Sequence, residues 1–287
     1  MITAEIISQQ AKRSPLTAHV PQDMIYYSHL GHVNDYPEYD NIHTFPKEPG
    51  YYQFINEAEK HRSILNYPDY DFKYYLNNIG FRGVYPNKDD DNIIGFFGCS
   101  FTFGEGLPEE KNFPYLISKH LNKRCLNLGL QGANAHHTSL IFSAASNIWN
   151  IDTAVITLPN WGRFSYVDKY NQLVPIMPTL NYKISEIERV RTTLVNNFSD
   201  QYLLSITKDA ITTILAISKL KNIKLILSSW DGETRYLITK LLGIVPEFNH
   251  DSKNVARCPY HPGEDAVNTY TKNVLNFVNQ NKFQNLG

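Results

Sequence analysis

The sequence predicts a three-layer α/β/α fold built around a parallel, flavodoxin-like sheet. From about residue 90 onward, short apolar runs alternate with longer segments of helical periodicity. Such alternation is typical of a parallel sheet that is covered by helices on both faces. Hydrophobic residues make up 42% and charged residues 19% of the 287 positions, which suits one large domain with a substantial core.

The predicted elements follow one another in a regular order. Strands are expected at residues 92–98, 124–128, 153–158 and 223–229. Helices are expected at residues 112–122, 136–149, 182–196, 200–221 and 232–242, and a last helix opens at Pro262 or Gly263. Asn112 is the expected N-cap of the first helix. The interval 162–180 carries two prolines and is expected to be irregular.

The chain divides into two regions of different composition. Residues 1–75 are rich in Tyr, His, Pro and Asp and have few long apolar periods. We expect them to form a loop-rich extension with short helices, because ordering so much loop needs large side chains packed against something. The main domain is expected to cover residues 76–287.

Composition excludes several classes of partner. A formal net charge of −1 gives no reason to expect nucleic acid or an anionic membrane as a partner. The sequence lacks a signal-peptide pattern and any apolar run near the roughly 20 residues of a membrane span. Cys99, Cys125 and Cys258 are too few for a disulfide framework and suit a reducing compartment. We therefore expect a cytoplasmic protein with no metal site and no cofactor.

Residues 98–104 form the strongest candidate for a catalytic turn. A Gly-Cys-Ser sequence follows the apolar run 93–97, and Gly104 ends the stretch. In a parallel α/β sheet, such a turn presents its serine at the carboxyl end of a strand, and glycines permit the tight backbone path. Ser100 is therefore a candidate nucleophile. The competing interpretation is a serine in an ordinary β-turn.

A histidine near the C-terminus is a candidate general base. His261 stands just before the last predicted helix, and the acidic pair Glu264 and Asp265 falls in the first helical turn. The helix dipole favours negative charge at that position. A histidine on a rigid loop before a packed helix suits proton transfer. The alternative is an ordinary loop histidine, since the chain has ten histidines.

Together with two further blocks, these segments resemble the SGNH (GDSL-like) hydrolase family. Residues 126–134 are similar to the second block of the family, in which the backbone N–H of a glycine, here Gly132, serves the oxyanion hole. Residues 155–160 resemble the third block, whose asparagine, here Asn160, donates to the same oxyanion. Residues 77–83 resemble a lead-in that precedes the serine block in one branch of the family.

The resemblance covers roughly residues 77–280 and implies an ester hydrolase. Ser100 would form an acyl-enzyme and His261 would act as base, while the N–H of Ser100, the N–H of Gly132 and the amide of Asn160 would form the oxyanion hole. The expected substrate is a small or carbohydrate-linked acyl ester. Two alternatives stay open: an O-acyltransferase that uses the same site, and a binding or structural protein that keeps the fold without catalysis.

Three positions depart from the family pattern. The first block usually reads Gly-Asp-Ser, and here Cys99 stands in the middle. The third usually reads Gly-x-Asn-Asp, and here Trp161 follows Asn160. The last usually reads Asp-x-x-His, and here Cys258 occupies the aspartate position before His261.

The Cys258 departure leaves the orientation of the histidine open. An aspartate would fix the imidazole tautomer and stabilise imidazolium, and a neutral thiol is a poor substitute. Another acceptor could orient His261, the site could be a Ser–His dyad, or the site could be degenerate. The possible acceptors are Asp251, Glu264, Asp265 and a backbone carbonyl.

Overall fold

The computed structural model describes residues 50–53, 73–77, 81–87, 89–167, 173–176, 185–249, 256 and 261–284. The strands are β1 (Gly50–Gln53), β2 (Lys73–Leu76), β3 (Ile93–Gly98), β4 (Arg124–Gly129), β5 (Ile151–Leu158), β6 (Phe164–Val167), β7 (Leu173–Ile176) and β8 (Lys224–Ser229). The helices are α1 (Ser100–Phe103), α2 (Phe113–His120), α3 (Ala135–Ile148), α4 (Ser185–Asn197), α5 (Asp200–Leu220), α6 (Gly232–Leu242) and α7 (Glu264–Asn279), with a 3-10 helix at Glu109–Lys111.

The central sheet is parallel and has the strand order β4-β3-β5-β8. The first strand of this sheet therefore lies between the second and the third, as in flavodoxin-like folds. Crossover helices connect its strands, because parallel neighbours cannot be joined by a tight turn. The predicted fold class and the four predicted sheet strands are confirmed.

Strand β3 shows why the fold has three layers. Phe96 packs edge-on against Phe113 of α2, with ring centroids 6.1 Å apart, and Phe97 packs against Phe142 of α3 at 5.1 Å. Side chains alternate across a strand, so these two neighbours contact helices on opposite faces of the sheet. All six residues of β3 are buried, which explains its continuous apolar sequence.

Aromatic contacts fix the last helix, α7, to the sheet. The ring of Tyr270 stacks on Phe248 with centroids 4.2 Å apart and meets Phe113 edge-on at 5.0 Å. Its hydroxyl shares a 2.9 Å hydrogen bond with the hydroxyl of Thr157 on β5. Burial raises the pKa of Tyr270 to about 12, so the phenol stays neutral. These contacts hold α7 in place, and its first residue, Glu264, comes three residues after His261.

Three local features differ from the sequence-based expectations. The interval 162–180 contains the antiparallel pair β6–β7, and Pro175 is tolerated there because each strand of a two-stranded ribbon has an open edge. In the expected loop-rich extension, the described residues include the strand pair β1–β2. Asn112 is the N-cap residue of α2, but its side chain makes no capping bond and donates to the carbonyl oxygens of Thr102 and Phe103.

Every helix in the described part of the chain is too short or too polar to cross a lipid bilayer.

Candidate active site

Ser100 is the first residue of α1 and comes directly after the buried strand β3. Gly98 has a φ of +152°, and a Cβ there would lie 2.3 Å from Oγ1 of Thr102 and 2.4 Å from the carbonyl oxygen of Thr157. Gly104 ends α1 in the left-handed conformation with a φ of 83°. Both glycines are therefore required by the backbone path that turns the chain at Ser100. The first residue of a helix also presents a backbone N–H that has no intrahelical acceptor.

The other sequence blocks end at the same edge of the sheet. The N–H of Leu130 donates to the carbonyl oxygen of Gly98 at 2.9 Å, which ties the turn after β4 to the serine turn. Gly132 lies in that turn with a φ of 72°. Asn160 follows β5, which pairs with β3 on its other side. The structure thus places Ser100, Gly132 and Asn160 directly after three neighbouring strands of the sheet.

Both ends of the Asn160 amide are held by hydrogen bonds. Its Oδ1 accepts from the N–H of Gly162 at 2.8 Å, and its Nδ2 donates to Oδ1 of Asp231 at 2.9 Å. Asp231 caps α6 by accepting from the N–H of Thr234 at 2.8 Å, so it is itself fixed. A primary amide carries two N–H hydrogens. The bond to Asp231 therefore uses one of the two N–H hydrogens of the Asn160 amide.

His261 lies against the helix that begins at Ser100. Its ring meets that of Phe101 edge-on, with centroids 5.5 Å apart. Its Nε2 lies 3.4 Å from Oε2 of Glu105, and the two side chains are 12% and 9% exposed. The N–H of Glu105 in turn donates to the carbonyl oxygen of Ser100 at 3.1 Å. His261 thus contacts α1 itself and the loop that follows it.

Glu105 is a buried carboxyl group that sequence reasoning missed. Burial raises its pKa to about 7, and the positive charge of Arg163 opposes part of that increase. The signal in the sequence is weak: a single glutamate stands between Gly104 and Gly106, directly after the serine turn. An acidic residue in a glycine-rich loop is normally taken to be exposed, because Glu is rarely buried without a partner.

Two of the three carboxylates that the sequence suggested for His261 lie among the described residues. Glu264 forms an ion pair with Lys111 at 2.6 Å, and Asp265 is exposed. Asp251 and Cys258 lie outside the described residues. Within the described ranges, His, Cys, Asp and Glu side chains nowhere converge in groups of three that could hold a metal ion.

Trp230, at the end of β8, forms one wall of the site. Its ring stacks on Phe101 with centroids 4.6 Å apart, and its Nε1 donates to Sγ of the buried Cys99 at 3.3 Å. The guanidinium of Arg163 lies 5.4 Å from the Trp230 ring centroid, within the range of a cation–π contact. Beside the serine turn, the structure therefore has the aromatic ring of Trp230 and the positive charge of Arg163.

A buried arginine supports the loop that carries Glu105. The guanidinium of Arg82 donates to the carbonyl oxygens of Phe103, Gly104 and Leu107 at 3.1, 2.5 and 2.5 Å. The hydroxyl of Tyr74 accepts from the N–H of Gly106 at 2.7 Å. Carbonyl groups at the end of a helix otherwise have no partner. The loop between α1 and α2 is therefore held from the side of β2 and the segment that follows it.

No family model matches the chain, and no curated protein sequence matches it. Among solved structures, a lipolytic protein of the G-D-S-L family from Desulfitobacterium hafniense matches with 13% identity, a TM-score of 0.42, and coverage of 64% of this chain and 98% of the other. An esterase from Pseudoalteromonas sp. matches with 12% identity, a TM-score of 0.41, and coverage of 66% and 98%. A carbohydrate esterase family 2 enzyme from Corynascus thermopiles matches with 13% identity, a TM-score of 0.46, and coverage of 74% and 70%. With identities of 12–13% and TM-scores below 0.5, these similarities are distant and concern the fold alone.

Proposed function

We propose that the chain is a serine ester hydrolase that forms an acyl-enzyme on Ser100, with His261 as general base. The observation that carries this proposal is the packing of His261 against α1, where it contacts both Phe101 and Glu105. Ser100 begins that helix at the carboxyl edge of the sheet. Acyl transfer requires a nucleophile and a base that can reach it, and the contacts with Phe101 and Glu105 bring His261 to the short helix that Ser100 begins.

The reaction takes place in two steps. The hydroxyl oxygen of Ser100 attacks the acyl carbon while His261 takes the hydroxyl proton, and His261 then gives that proton to the leaving alcohol. Water next attacks the acyl-enzyme, His261 again accepts a proton, and the acid is released with Ser100 restored. The negative oxygen of each tetrahedral intermediate would be bound by the N–H of Ser100, the N–H of Gly132 and the amide of Asn160. Loss of one such donor typically raises the barrier by about 3 kcal/mol.

The proposed substrates are small or carbohydrate-linked acyl esters. Trp161 and Trp230 are both partly exposed. Trp161 follows Asn160 in the sequence and Trp230 precedes Asp231, and the side chains of Asn160 and Asp231 are joined by a hydrogen bond. A partly exposed aromatic ring offers a flat apolar surface on which a ligand can pack. Nε1 of Trp161 already donates to Glu233 at 2.5 Å, which fixes the orientation of that ring.

A fluorophosphonate probe tests whether Ser100 is a live nucleophile. We expect the wild type and the matched control Ser205→Ala, which changes an exposed serine, to be labelled, and Ser100→Ala to be unlabelled. Ser100→Ala should also lose at least about 10³-fold in kcat on p-nitrophenyl acetate, with an unchanged thermal melt. A folded wild type that is neither labelled nor active contradicts the proposal. If free sugars are added to the assay and acylated sugar forms in place of free acid, the protein is instead a transferase.

A further inference from the structure

We propose that Glu105 is the positioning residue that orients His261, in the role that the sequence pattern of the family gives to an aspartate at position 258. The inference rests on the proposed function, because an oriented histidine matters only if it acts as a base. It is carried by the 3.4 Å contact between Oε2 of Glu105 and Nε2 of His261.

The contact lies in a part of the molecule from which water is largely excluded. The side chains of Glu105 and His261 are 9% and 12% exposed, and the ring of Phe101 covers one side of the imidazole. A carboxyl group in such a place needs a partner, since burial of an unpaired charge is strongly unfavourable. His261 and Arg163 are the charged or titratable groups that the described residues bring to Glu105.

The loop that carries Glu105 is rigid, so the contact is built into the fold. Arg82 holds the carbonyl groups on both sides of Glu105, and Tyr74 holds the N–H of the next residue, Gly106. The main chain of Glu105 is also bonded to the carbonyl oxygen of Ser100. The nucleophile and the carboxylate therefore belong to one short, fixed segment. A positioning group must be held in this way to keep an imidazole within reach of a serine.

The proton balance of the step follows from the contact. An ionised Glu105 accepts a hydrogen bond from Nε2–H, which keeps the neutral imidazole in the tautomer with its lone pair on Nδ1. In the proposed step the imidazole takes the proton from the hydroxyl of Ser100 as the oxygen–carbon bond forms, and Glu105 keeps its charge and stabilises the imidazolium. The raised pKa of Glu105 means that this arrangement is complete only above about pH 7.

The test compares Glu105→Gln and Glu105→Asp with the matched control Glu110→Gln, which removes an exposed carboxylate. The readout is kcat, KM and the pH dependence of kcat/KM on p-nitrophenyl acetate. We expect Glu105→Gln to lower kcat roughly 10²- to 10⁴-fold with little change in KM. The acidic limb of the pH profile of kcat/KM should move to lower pH, because removing a negative charge beside His261 disfavours the imidazolium form. Glu105→Asp should be intermediate, and Glu110→Gln should match the wild type.

Arg163→Gln provides a second measurement that does not alter the carboxylate. Removing this positive charge makes proton binding to Glu105 and His261 more favourable, so the acidic limb should move to higher pH, whereas Arg163→Lys should leave it in place. A Glu105→Gln enzyme with wild-type kcat and an unmoved limb overturns the inference while labelling of Ser100 still supports the proposed hydrolase. A wild type without labelling or turnover overturns the proposed function itself.

Discussion

Arg82 donates a hydrogen bond to the carbonyl oxygen of Gly104 at 2.5 Å, and Gly104 is the residue that ends the nucleophile helix. The bond connects two separate sequence motifs, the lead-in at 77–83 and the serine turn at 98–104. The guanidinium carbon of Arg82 also lies 4.6 Å from the ring centroid of Tyr74. The guanidinium therefore contacts an aromatic ring as well as donating hydrogen bonds through its N–H groups. The lead-in is therefore part of the support of the site.

Arg82→Met should destabilise the protein and lower its activity. The substitution keeps much of the side-chain volume but removes three hydrogen bonds from a charged donor, which we expect to reduce the free energy of unfolding by about 2–4 kcal/mol. The carbonyl oxygens of Phe103 and Gly104 each keep one other donor, from Asn112 and from the N–H of Leu107. Urea denaturation measures this change. Arg124→Met is the control, because that side chain is 60% exposed. An equal, small effect of both substitutions would show that the Arg82 bonds contribute little.

Local patterns were enough to predict the sheet and the serine turn. Strands of a parallel sheet that are buried on both faces are mostly apolar, and β3, whose six residues are all buried, is a continuous apolar run in the sequence. The glycines of the serine turn were predictive because Gly98 and Gly104 have backbone angles that other residues rarely adopt.

The missed features depend on contacts between distant segments. Glu105 becomes important only because His261, far along the chain, folds back onto it. Asn112 looked like a helix cap, and its side chain instead supports the carbonyl groups of α1. Neither contact leaves a periodic pattern in the sequence, so local reasoning had no signal from which to predict them.

Gly129→Ala should disrupt the site from the neighbouring strand. A Cβ at Gly129 would lie 2.2 Å from the backbone nitrogen of Phe103 in α1, and backbone atoms cannot move aside cheaply. We expect a loss of roughly 1–3 kcal/mol in stability together with reduced labelling of Ser100. Gly232→Ala is the control, because a Cβ there meets nothing within 4 Å. Thermal melts that fall equally in both variants would contradict this account.

The buried Glu105 should make stability depend on pH. Its pKa is raised from 4.5 to about 7 in the folded protein, so the folded state binds this proton more tightly than the unfolded state. The stability of the wild type should therefore fall as the pH rises from about 4.5 to about 7, and Glu105→Gln should lack that contribution. We expect Glu105→Gln to gain roughly 1–3 kcal/mol over the wild type between pH 5 and pH 8. Urea denaturation of both proteins at pH 5 and at pH 8 measures this gain. A stability difference between Glu105→Gln and the wild type that is the same at both pH values would contradict the prediction.

Cys258→Asp tests whether His261 requires a carboxylate as such. The sequence places Cys258 three residues before His261, where the family pattern has an aspartate. In the Glu105→Gln background, the new carboxylate should accept a hydrogen bond from the imidazole. The kcat/KM of the double variant should then be at least about tenfold higher than that of Glu105→Gln alone. It should also move the acidic limb back to higher pH, because a nearby negative charge favours imidazolium. The measurement is the pH profile of kcat/KM for the single and the double variant, with thermal melts to check folding. A folded double variant that recovers no activity, and whose acidic limb does not move, would show that position 258 does not face the imidazole. A carboxylate at position 258 could then not replace Glu105 as the group that orients His261.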